Sequence, residues 1–279
     1  MKRFLISLLA VSGVFLFISN ALAAYIDKSF SGGEVRIVYN PASPQTTDAI
    51  ILGVGTAMSR SDYDNLANAI IQYGYVVVIL DHNPGNMIKT DSKYFRNGVH
   101  WIQSSLLGWL AATNIKNISH WIVGGHSAGG QAAQGAVSED ITLADAIFSI
   151  DPYNCNSVGF IGVPAAYWGF DTTTCFVTND DAGSAGYKHA CNQRVFYKVK
   201  NQYILTICGI VPKIYHCSFC DSGCPGCYSC QNTPSAFYQD VARSANKFIT
   251  AAFYGTWSKA NLNISPATPL TMYEGSDWP

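Results

Sequence analysis

Trp121-Ile122-Val123-Gly124-Gly125-His126-Ser127-Ala128-Gly129-Gly130 runs from an apolar, β-branched segment into a serine framed by glycines, and then into small residues up to Val137. Gly125 and Gly129 stand two positions either side of Ser127, giving G-x-S-x-G. This pattern predicts a strand that turns sharply into a helix, with the serine in a strained backbone conformation and no room for side chains at the flanking positions. The turn would lift the Ser127 hydroxyl beyond the sheet edge and aim the amide of Ala128 at a developing oxyanion. The partial positive charge of the helix N-terminus would support it. As a bare pattern G-x-S-x-G is weak, and an ordinary glycine-rich turn also fits it. Its value here comes from the chain on either side.

Upstream, Ala49-Ile50-Ile51-Leu52 is a short apolar run that ends in Gly53-Val54-Gly55. A helix pattern follows, with Tyr63, Leu66, Ala67 and Ile70 on one face and Gly74 as its stop. Tyr75 to Leu80 is continuously apolar, the mark of a parallel strand buried on both faces. Val99, Ile102, Leu106 and Trp109 recur at helical spacing. Downstream of the serine, Ala146 to Ile150 reads as a strand closing at Asp151-Pro152, and Ala165 to Phe170 and Tyr203 to Ile207 read as further strands. Ser235 to Thr250 reads as a closing helix, followed by a polar tail with Pro266 and Pro269. Alternating strands and helices predict an α/β fold, a mostly parallel central sheet with helices on both faces. With no repeat and no Pro- or Ser-rich linker, residues 24–279 read as one domain.

A serine nucleophile needs a base, and the base needs an orienting carboxylate. On an elbow of this kind the acid and then the histidine follow the serine in the chain. His189 and His216 lie far enough downstream. His216 is favoured, in the loop Tyr215-His216-Cys217-Ser218-Phe219 between a strand and the closing helix, whereas His189 lies in a polar stretch. His82, His100, His120 and His126 read as strand ends, helix surface or packing behind the elbow. For the acid, Asp151 closes the strand after the nucleophile helix. Asp171, Asp180 and Asp181 near the next strand are the alternatives, and an Asp-Pro pair is also an ordinary turn signal. The second oxyanion amide is expected from the loop after the Ile50 strand, with Thr56 in Gly53-Val54-Gly55-Thr56-Ala57 as the candidate; a plain strand-to-helix turn also fits that loop.

The 279 residues are 48% hydrophobic and 13% charged, with 17 Lys and Arg against 18 Asp and Glu. Neither a disordered tail nor a nucleic-acid binder has this composition. With no basic field to attract phosphate, the expected partner is neutral or apolar. Residues 1–23 carry Lys2 and Arg3, an apolar run, and Ala21-Leu22-Ala23, which reads as a cleaved signal peptide and predicts a secreted or periplasmic protein. An uncleaved anchor is the competing reading, although Ser7, Ser12, Gly13, Ser19 and Asn20 dilute the run. No other stretch approaches membrane length. All nine cysteines lie between Cys155 and Cys230, and Cys217, Cys220, Cys224, Cys227 and Cys230 form a cluster. Export predicts disulfides over 155–230, with zinc as the rival for the CxxC spacing. Nine is odd, so at least one thiol is left over or pairs between chains.

The elbow GGHSAGG (124–130), the stretch ILGVGTAMSRSDYDNLANAIIQYGYVVVILD (51–81) and the loop histidine resemble secreted α/β-hydrolases of the lipase, cutinase-like polyester-hydrolase and chlorophyllase branch, over roughly residues 48–255. Ser149-Ile150-Asp151-Pro152 is similar to the acid-bearing segment of chlorophyllases and pancreatic-type lipases. Polyester hydrolases have a non-acidic residue there and take the acid from the next strand. The chain differs from the whole branch in lacking an HGGG run after the Ile50 strand and in its cysteine cluster after His216. The resemblance implies the α/β-hydrolase fold and a serine esterase or lipase. Its triad would be Ser127, His216 and Asp151, with the amides of Thr56 and Ala128 as oxyanion hole and no cofactor or metal. The substrate expected is a small-molecule or lipid-like ester, with Tyr153, Trp168 and Phe170 as aromatics near the active edge. Two other readings use the same residues: an acyltransferase, in which an alcohol captures the acyl group, and a binding protein that kept the elbow without the chemistry.

Overall fold

The computed structural model describes residues 23–30, 33–81, 91–153, 159–170, 186–188, 190–191, 193–199, 203–206, 209–212, 216–221, 234–264 and 270–274. The apolar N-terminal segment through Leu22 lies outside the described residues. So do His82, the alternative acids Asp171, Asp180 and Asp181, the alternative base His189, and the cysteines other than Cys191, Cys217 and Cys220.

Val76–Leu80 shows why the sheet is mixed in direction but parallel at its centre. All five residues of this strand (β4) are buried. Sequestering each such side chain is worth roughly 1.5–3 kcal/mol, so a strand covered on both faces is apolar at every position. Its parallel neighbour is β3 (Thr46–Gly53), and β3 pairs on its other side with β5 (Asn117–His126), again parallel. The parallel order continues through β6 (Ala146–Ile150), β7 (Ala165–Phe170) and β8 (Arg194–Val199). Antiparallel strands close both margins: β1 (Ala24–Phe30) and β2 (Gly33–Tyr39) beside β4, and β11 (Leu270–Glu274) beside β8. The nine-stranded order is β1-β2-β4-β3-β5-β6-β7-β8-β11.

Successive side chains of β3 serve opposite faces, as the pleat requires. Ile50 and Leu52 join the core formed with α1 (Asp64–Ile71) and the closing helix α4 (Ser235–Ile249). Ala49 and Ile51 join the core under α2 (Ser92–Trp109) and α3 (Ala128–Glu139). Helices therefore cover both faces, as the alternation predicts. Among the described residues no helix is long and apolar enough to cross a membrane.

The strand expected from Tyr203 is present, and two other expectations are corrected. The polar tail is in part a sheet strand, β11, which alternates and is only half-buried, so its apolar signal is weak while its backbone pairs fully with β8. The strand expected from Tyr203 is β9 (Tyr203–Thr206), and it pairs with β10 (Gly209–Pro212) in a separate two-stranded sheet. Trp168 is not an active-edge aromatic: it is fully buried and its indole N–H donates to Ser244 Oγ at 2.8 Å. Phe170 is buried too, and Tyr153 is 40% exposed.

The order β4-β3-β5 has a functional consequence. The chain leaves β3 for one side of the sheet and later returns on the other, so the connections diverge above the carboxyl ends of β3 and β5. Open α/β sheets form their crevices at such a point. The loop with Thr56 follows β3, and Ser127 follows β5.

Candidate active site

Ser127 sits between the last residue of β5 and the first of α3 with φ 54° and ψ −119°, in the positive-φ region that an L-residue adopts only under constraint. The constraint comes from packing. A Cβ on Gly125 would lie 2.4 Å from the carbonyl carbon of Gly129, and one on Gly129 would lie 2.3 Å from the carbonyl oxygen of Gly53. Strand end and helix start thus meet backbone to backbone, which is the local reason for the glycines.

Two further non-glycine residues have positive φ, Asp151 at 37° and Ala57 at 57°, so among the described residues all three such positions lie in loops at the carboxyl edge. Hydrogen bonds lace two of these loops together. Ser127 N–H donates to Ile150 O at 3.0 Å, and Tyr153 N–H donates to Ser127 O at 2.9 Å. Asp151 N–H donates to Trp168 O at 2.6 Å. The third loop approaches from β3, since a Cβ on Gly55 would lie 3.3 Å from Ser127 Cβ. Thr56 follows directly, half-buried beside Ala57.

His216 opens a short 3-10 helix, His216–Phe219, and is buried. Its Nδ1 lies 2.5 Å from Asp151 Oδ2, a buried pair. With an Nδ1–H given to a carboxylate, the ring presents Nε2 as its acceptor. The His216 segment is docked further along by Asp221, whose N–H donates to Asp62 O and whose carboxylate accepts from Asn65 N–H at 2.9 Å, at the start of α1. Cys217 is disulfide-bonded. The Cys220 thiol is buried and its Sγ lies 3.1 Å from Cys217 O. Among the described residues no group of three His, Cys, Asp or Glu side chains could hold a metal ion.

Behind the elbow, His126 is fully buried, its ring centroid 4.5 Å from that of His216. Burial, and secondly the neighbouring His216, hold its pKa well below the ordinary histidine value. Its Nδ1 lies 2.8 Å from the hydroxyl of Tyr63, whose own pKa burial pushes well above the usual. Tyr63 is a residue whose polar role the sequence reading did not find. Helical spacing marks it as an apolar face residue, and the only signal for more is that a buried tyrosine hydroxyl needs a partner.

The other described histidines stand away from this cluster. His120, on β5, pairs with the buried Asp48 at 2.9 Å, near the amino end of β3, and His100, more than half exposed, faces Asp140. Compared with models of known protein families the chain matches none, and compared with curated proteins it matches none.

Proposed function

We propose that this chain is a serine hydrolase of carboxylic esters, of the lipase and esterase type on the hydrolase variant of the α/β architecture, acting after export. The observation that carries the reading is the buried Asp151–His216 pair at 2.5 Å on loops joined to a serine held at φ 54°. A structural ion pair needs no strained serine beside it, and a glycine-rich turn needs no histidine–carboxylate pair.

In this reading Ser127 Oγ attacks the ester carbonyl while His216 Nε2 takes its proton, and Asp151 stabilises the imidazolium. The amides of Ala128 and Thr56 hold the oxyanion. The tetrahedral intermediate collapses to an acyl-serine as His216 returns the proton to the departing alkoxide. Water, deprotonated by the same nitrogen, then attacks the acyl carbon, and His216 returns that proton to Ser127 Oγ as the acid leaves. Near-neutral composition and the half-exposed Tyr153 at the rim favour a neutral substrate with an apolar part.

Incubation with a fluorophosphonate probe tests the reading, with peptide mapping of the label and a panel of esters of graded acyl length. Modification at Ser127 and turnover of at least one ester are expected. Labelling at another residue, or no turnover across the panel, would overturn it.

A further inference from the structure

His126 precedes the serine in the chain, and both of its ring nitrogens are engaged within the protein. Nε2 lies 3.0 Å from the main-chain oxygen of His216. A carbonyl oxygen can only accept, so Nε2 carries the hydrogen. The ring is neutral, because burial and His216 disfavour its cation, so Nδ1 is an acceptor and the Tyr63 hydroxyl donates to it at 2.8 Å. That hydroxyl in turn accepts from Gly55 N–H at 2.8 Å. Both ends of the series are fixed, since an amide only donates and a carbonyl only accepts. The direction therefore runs unbroken from Gly55 N–H through Tyr63 to His126, and from His126 to His216.

We propose that His126 is a positioning residue for the base: its Nε2–H holds the main chain of His216, and Tyr63 locks the tautomer that makes this bond. The inference rests on reading Ser127, His216 and Asp151 as a triad. Its physical content is that the Asp151 contact orients the His216 ring while the His126 contact sets where that ring is carried. The same series ends on Gly55, next to Thr56, so the base and the loop of the second oxyanion amide share one rigid support. A ring that served only as packing would have no use for polar partners at both nitrogens, and phenylalanine would replace it.

Three variants separate the roles, each measured for kcat, KM, rate of fluorophosphonate labelling and Tm. His126→Phe keeps the ring and loses both bonds, and a shift of the base of about 1 Å costs on the order of 10²-fold in kcat with KM little changed. His126→Gln can place an amide N–H where Nε2–H was, and should recover about tenfold of that loss. Tyr63→Phe removes the tautomer lock together with the acceptor of Gly55 N–H, leaves the His126 ring in place, and should cost about fivefold or more, the effect of at least one ordinary hydrogen bond. A folded His126→Phe protein that labels at the wild-type rate overturns the inference while leaving the triad reading intact, as does a glutamine variant no better than phenylalanine. If His126→Phe does not fold, Tyr63→Phe decides, and an unchanged kcat there overturns the proposal. Wild-type protein unlabelled at Ser127 overturns the triad reading and this inference with it.

Discussion

The amide of Ser127 donates to the carbonyl of Ile150 at 3.0 Å, so the serine is bonded to the residue that immediately precedes Asp151. The return bond from Tyr153 N–H to Ser127 O clamps Asp151 between two contacts with the serine. Positive φ at Ser127 and Asp151 costs of order 1–3 kcal/mol each, and it persists because these bonds and the glycine contacts over-determine the two loops. Serine and acid thus belong to one rigid unit, to which His216 is added from a distant part of the chain.

Ser127→Ala should abolish ester hydrolysis, with a loss on the order of 10⁶ in kcat, while Tm stays near wild type. The substitution removes one oxygen and leaves the backbone bonds of the elbow in place. Activity within about tenfold of wild type would place the nucleophile elsewhere.

Asp151→Asn keeps the shape of the side chain and removes the counter-charge of His216. By analogy with triads in general, kcat should fall by roughly 10³ to 10⁴ with little change in KM. Asp171→Asn, Asp180→Asn and Asp181→Asn serve as the comparison, each expected within about tenfold of wild type. A large loss at one of those three and none at Asp151 would move the acid to the later segment.

Gly129→Ala would push a methyl group to 2.3 Å from the carbonyl oxygen of Gly53, and the obstacle is backbone that no rotamer change clears. Urea unfolding should show a destabilisation of at least about 1–3 kcal/mol. Gly108→Ala in α2 is the control, because its Cβ would enter open space. There the better helix propensity should leave stability equal or higher, by up to about 1 kcal/mol. Similar losses in both variants would refute the close-approach account.

Stability should depend on pH through His126. Burial and His216 hold its folded pKa well below the ordinary histidine value of about 6.5, so its contribution is whole above about 6.5, where both states are neutral. As pH falls below that, the unfolded chain binds a proton that the folded one does not. The contribution then declines by up to about 1.4 kcal/mol per pH unit until the folded pKa is reached. Tyr63, His216 with its partner Asp151, and Phe219 face the ring. Thermal scans from pH 7 to 5 should show Tm falling less steeply in a folded His126→Phe protein than in wild type. Parallel slopes would show that this residue does not carry the dependence.

Reducing agents should lower activity and Tm together, since the Cys217 disulfide adjoins His216 in the chain and helps hold the base segment. EDTA should change neither. About one zinc per chain in the purified protein would reverse this expectation.

The strand–turn–helix at Ser127, the buried strand at Val76–Leu80 and the alternation of elements were legible in the sequence because each depends on neighbours within a few residues: apolar continuity, helical spacing, glycine where backbone meets backbone. The edge strands β1 and β11 were not, since half-exposed strands draw their stability from backbone pairing that any side chain permits. The pairing of His216 with Asp151, 65 positions apart, was anticipated from chain order after the serine, but the partnerships of His126 were not: Tyr63 meets it across 63 positions, and it meets the His216 carbonyl across 90. Histidine and tyrosine read alone carry no address for such contacts. Their geometry follows from the order β4-β3-β5-β6, which brings the loops after β3, β5 and β6 to one edge. Residue type and local spacing determined what chemistry the chain could attempt. Only the stacking of strands, held by burial on both faces, decided which of those groups stand within bonding distance.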